Sequence, residues 1–81
     1  DIRAIEKDGE PWFVGKDVTE ALGYNNTRDA LYKHVDEEGK RDGVAFRDTI
    51  GREQKMTIIN ESGLYSLVLS SKLPQAKVFK H

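Results

Sequence analysis

The 81 residues include no cysteine. That excludes disulfide staples and zinc–thiolate sites, so packing and hydrogen bonds must hold the domain, and a reducing, cytoplasmic setting is the expectation. Net charge is also nearly absent: 13 basic against 14 acidic residues leave −1. A chain so balanced has no bulk attraction to nucleic acid or to an anionic membrane, and any nucleic-acid role needs a local basic face. Apolar runs are short; Leu67-Val68-Leu69 falls far below the length that spans a bilayer, so no membrane partner is expected. The N-terminus carries Asp1, Glu6 and Asp8, not the basic-then-apolar order of a signal peptide. Without a secretory signal, the triplets Asn25-Asn26-Thr27 and Asn60-Glu61-Ser62 read as helix caps and not as glycosylation sites.

Catalytic and cofactor chemistry is equally sparse. The two histidines, His34 and His81, lie far apart with no cysteine partners, which is not metal-ligand spacing. Glu61-Ser62-Gly63 lacks the flanking glycine of a nucleophile elbow, and no glycine-rich loop ends in Lys-Ser or Lys-Thr. The run Asp36-Glu37-Glu38 has the character of a solvated loop. The expectation is a domain with no enzyme activity, no metal and no cofactor.

What the chain does hold is a dense apolar passage over residues 58–69. Asn60 suits an N-cap and Glu61 the first turn of a helix, while Ile59 and Leu64 have the spacing of a hydrophobic staple. Leu64, Leu67 and Val68 then recur at helical spacing, with Tyr65 and Leu69 on a neighbouring stripe. A strand feeds a buried helix here, and the passage reads as core.

The rest follows in order. Residues 2–14 predict a hairpin about Asp8-Gly9, pairing Lys7 with Glu10, Ile5 with Trp12 and Ala4 with Phe13. Pro11 cannot donate to a ladder, so its strand is expected at a sheet edge or with its nitrogen turned from the partner. A short helix over 15–23 would bury Val14, Val18, Ala21 and Leu22 and stop at Gly23. Asn26 with Asp29 resembles a capping box for a second helix from Thr27 to His34. Residues 36–43 read as a charged loop. A second hairpin, 44–50 with 54–59, would turn at Gly51-Arg52. Pro74 would open a last helix from Gln75 that meets no stop signal before His81. The expected fold is α+β: one domain over 1–81, a small mostly antiparallel sheet from two hairpins with about four short helices, truncated at its C-terminal end and excised from a longer protein.

Two surfaces could bind nucleic acid. Two short helices joined by a few residues have the layout of a helix-turn-helix, and Asn25, Asn26, Thr27, Arg28, Tyr32 and Lys33 would form the outer surface of the second. Asn can read adenine edges and Arg guanine, while Thr and Lys can hold phosphates. The second hairpin offers Arg47, Arg52 and Lys55, preceded by Lys40 and Arg41 and diluted by Asp42, Asp48 and Glu53; a basic ribbon can enter a groove.

The motifs Pro11-Trp12-Phe13-Val14, Asp17-Val18, Ala21-Leu22-Gly23-Tyr24 and Ile59-Asn60-Glu61-Ser62-Gly63-Leu64-Tyr65-Ser66-Leu67, continued by Leu73-Pro74 with Ala76, Lys77, Phe79 and Lys80, resemble the N-terminal domain of the BRO family. The resemblance covers nearly the whole chain. It implies a regulatory module of prophage antirepressors and large DNA viruses, usually followed by a different C-terminal domain. DNA binding goes with the BRO side of the family and inactivation of a phage repressor with the antirepressors. The implied partners are therefore duplex DNA, a phage repressor, or both, with self-association a further alternative. The matched residues look like core and caps, so the resemblance supplies no site residue.

Overall fold

The computed structural model describes residues 2–47 and 49–71. Its first unit is a hairpin of β1 (Ala4–Lys7) and β2 (Glu10–Val14). Asp8 and Gly9 take φ of 54° and 80°, the left-handed pair of a type I′ turn. That turn fixes the register: Ala4 faces Phe13, Ile5 Trp12, Glu6 Pro11 and Lys7 Glu10. Beyond β1, the Arg3 guanidinium forks onto the Asp17 carboxylate (Nε 2.8 Å, Nη2 3.0 Å) and the Arg3 amide adds a third bond at 3.0 Å. The Arg3 hydrogen bonds hold the Asp17 carboxyl below the usual carboxylate range, and Asp17 holds Arg3 above its own.

Helix α1 (Gly15–Ala21) follows β2 without a linker, and α2 (Thr27–His34) begins after residues 22–26. The Asn26 side chain accepts from the Asp29 amide and so caps α2. One expected core residue is corrected here. Ala21 is exposed, whereas Thr19 is fully buried. Thr19 is tolerated in the interior because its hydroxyl donates to the Lys16 carbonyl (3.1 Å) and accepts from the Thr27 hydroxyl (2.8 Å).

The segment read as a loop over 36–43 is mostly structured. A 3₁₀ turn, Glu37–Gly39, leads directly into β3 (Lys40–Arg47), which pairs with β4 (Glu53–Asn60). Gly51-Arg52 is not a two-residue turn: the last pair before it is Arg47 with Glu53, so the connection is longer than two residues, with Gly51 at φ 84°. The register also slips between Arg41 and Val44. Lys40 faces Ile59 but Val44 faces Met56, so Asp42 and Gly43 share the place opposite Thr57. This is a β-bulge, and Gly43 at φ 70° accommodates it.

The four strands form an antiparallel sheet in the order β1-β2-β4-β3. β2 is thus an interior strand, not an edge, yet only Trp12, Phe13 and Val14 pair with β4. Pro11 lies outside that stretch, so no ladder N–H is demanded of it on that side. The converse holds for β4. Only Ile58, Ile59 and Asn60 pair with β2, and from Glu53 to Met56 the β3–β4 ribbon runs on alone.

Helix α3 (Glu61–Ser70) packs with α1 and α2 on this sheet. The Asn60 side chain accepts from the Gly63 amide at 2.9 Å, the cap expected from sequence. Val18, Leu22, Ala30, Leu31, Val35, Ile59, Leu67 and Val68 form one buried cluster, with Phe13, Tyr24 and Leu64 against it. Leu64 thus packs against the cluster that holds Ile59, while Tyr65 and Leu69 face outward. Two bonds tie the end of α3 to the α1–α2 connection: Tyr24 Oη donates to the Leu67 carbonyl (2.7 Å) and Ser71 Oγ to the Leu22 carbonyl (2.9 Å). The fold is α+β as expected. Among the described residues it has three α-helices; the helix expected from Gln75 lies outside them.

Candidate nucleic-acid interface

Alternation along β4 turns Lys55, Thr57 and Ile59 to one face of the ribbon, the face that carries the helices. Ile59 enters the core there, but Lys55 and Thr57 lie beyond its rim. Between them and helices α1 and α2 runs an open groove of about 710 Å³. Four basic side chains line it, Lys16, Arg28, Lys40 and Lys55, against two acidic ones, Glu37 and Asp42. The groove is therefore locally positive by two charges although the chain carries −1.

The groove wall is held by specific contacts. The bulge brings Asp42 beside Thr57, whose hydroxyl donates to the Asp42 carboxylate at 2.7 Å. One of the two acidic groups is thus engaged by its own wall. Lys40 is mostly covered; its Nζ lies 3.5 Å from Glu37 Oε1 and 5.9 Å from the centre of the Tyr32 ring. Tyr32 is 78% exposed and stands one turn beyond Arg28 on α2. Next door, Arg41 donates to the carbonyls of Glu37, Glu38 and Lys40 and lies 5.2 Å from the Trp12 ring. Its role is to fasten the 3₁₀ turn to the sheet.

The residues expected from sequence are divided by this geometry. Thr27 and Arg28 from α2 and Lys55 from β4 come together in the groove, so the two separate patches meet in one surface. Thr27 spends its hydroxyl on Thr19. Asn25 and Asn26 are exposed at the mouth of α2, Asn26 with its oxygen committed to the cap. Lys33 points elsewhere on α2 and pairs with Asp29 at 3.2 Å. Arg47 and Arg52 are exposed farther out on the ribbon, Arg47 opposite Glu53. Sequence reading passed over Lys16 and gave Lys40 no place in the site. For Lys40 a signal existed, since a strand begun at that residue turns it to the same face as Ile59.

Among the described residues no group of three or more His, Asp or Glu could hold a metal ion, and no helix is long and apolar enough to cross a membrane.

Comparison with known proteins agrees with the resemblance. The family model described as the BRO family, N-terminal domain, matches residues 1–81. An uncharacterized protein of Haemophilus influenzae is 42% identical over 94% of this chain and 37% of its own length. Two proteins of Invertebrate iridescent virus 6 named for a Bro-N domain are 40% and 35% identical, over 86% and 88% of the chain and 21% of their own lengths. The chain thus spans about a fifth to two fifths of the curated relatives it matches. No solved structure matches at a significant level.

Proposed function

The chain belongs to the BRO family as an N-terminal domain, and from that premise we propose that it is the DNA-binding regulatory module of an antirepressor-like phage or viral protein. It acts by binding, without catalysis. The observation that supports this reading is the groove, which gathers Lys16, Arg28, Lys40 and Lys55 on a chain with no net positive charge. Cations so gathered release counterions from a phosphate backbone, and Arg28 with Asn25 near the start of α2 can reach base edges. A second reading, a protein-interaction module that engages a phage repressor or a second copy of the chain, is favoured by the overall charge of −1.

A salt titration against random-sequence duplex separates the two. Four groove cations on phosphates should contribute about −4 to the slope of log affinity against log salt. Arg28→Ala should make it shallower by about one, and Lys33→Ala, whose charge Asp29 already offsets, by less. No affinity for duplex even at low salt sinks the DNA reading; co-purification with a repressor then supports the second.

A further inference from the structure

Nothing in the groove accounts for Ile50. It is a large aliphatic side chain, 75% exposed, in the connection at the tip of the β3–β4 ribbon. A tip that only closes a hairpin has no need of such a residue, and turn positions usually go to Gly, Asn, Asp or Ser. Exposed leucines or isoleucines scattered on a surface need no explanation. Ile50 differs by its place. The ribbon beneath it runs clear of the sheet from Met56 to Glu53, because β2 pairs only with Ile58, Ile59 and Asn60. At about 3.3 Å per residue the five steps from Ile58 to Glu53 carry the tip roughly 17 Å outward. That exceeds the depth of a DNA minor groove, about 7.5 Å.

The charge around the tip fits the same partner. Arg47 and Lys55 are exposed on the two strands below, and Arg52 follows Ile50 by two residues in the connection; these three cations stand in the sequence against Asp48 and Glu53, the latter opposite Arg47. An apolar side chain carried by a basic ribbon is the arrangement that enters a minor groove, unstacks one base step and kinks the duplex. Arg47 and Lys55 can hold the flanking phosphates while the apolar group displaces the stacked neighbour.

We propose that Ile50 is a wedge that inserts between base pairs of duplex DNA and bends it. This rests on the DNA-binding reading above and adds what the domain does to the duplex it holds. Only the tip need enter; the kink opens the minor groove to admit the ribbon behind it.

The test is energy transfer between dyes at the two ends of a short duplex, titrated with the 81-residue chain and with Ile50→Ser. The wild-type chain should raise transfer as it binds, corresponding to a bend of roughly 20–90°. Ile50→Ser should keep the salt slope and bind within about threefold, since phosphate contacts dominate affinity, but leave the duplex nearly straight. Far-ultraviolet circular dichroism checks that the exposed substitution leaves the fold intact. Binding by the wild type with no rise in transfer, or an equal bend by Ile50→Ser, overturns the wedge and leaves the DNA-binding reading standing. Failure of the wild type to bind duplex at low salt overturns both.

Discussion

The two halves of β4 live in different surroundings. Ile58 and Ile59 have no exposed surface, with β2 on one side and β3 on the other, and Ile59 joins the cluster under the helices. Glu53, Gln54 and Lys55, three to five residues before Ile58 on the same strand, are exposed and pair with β3 alone. Both halves belong to one strand and share β3 as a partner. What differs is whether a third strand, β2, pairs beside them. The buried half is where stability is concentrated, and the open half is where a ligand can be met. A single strand thus connects the core to the groove and to the ribbon tip, so the position of the tip is set by the packing of Ile58 and Ile59.

This division can be broken most forcefully in the buried half. Leu67, fully covered by the cluster that holds Ile59, should lose about 2–5 kcal/mol on replacement by Ala, measured by urea unfolding. A loss under about half a kcal/mol would mean that the helices do not stabilise this end of β4. At the junction itself, Asn60→Ala removes the acceptor for the Gly63 amide and should cost about 1 kcal/mol. The smallest effect on stability belongs to the open half. Lys55→Ser should change unfolding free energy by less than about half a kcal/mol while making the salt slope of DNA binding shallower by about one. A Lys55 variant that unfolds the domain and leaves the slope alone would erase the distinction.

Those parts of the fold that depend on near neighbours were legible in the sequence. Asp8-Gly9 determines its own turn, and the turn then determines the register of β1 and β2. Asn26 and Asn60 reach amides three residues on, so their caps could be read directly. The second hairpin was misjudged because its bulge at Asp42-Gly43 breaks the alternation by which strands are recognised, leaving 36–43 with the look of a loop. Ala21 was misplaced because a short helix offers too few turns to distinguish one face from the next. Thr19, its replacement in the interior, depends on a partner hydroxyl from another helix. The groove was illegible for a similar reason. Lys16, Arg28 and Lys55 are far apart in the chain, and only the packing of α1 and α2 beside the ribbon gathers them.

The bulge at Asp42-Gly43 has a consequence for the lengths that this domain can tolerate. Beyond it, β3 and β4 alternate without interruption from Val44 and Met56 to Arg47 and Glu53. Two residues added to each strand there would lengthen the arm by about 7 Å and leave every side chain on its present face. One residue added to each would turn the side chains beyond it to the opposite face. Insertions into the arm are therefore acceptable in even steps. Deletion of Gly43 would be worse than either, because it removes the one extra residue that lets Lys40 and the outer ribbon keep their faces at once.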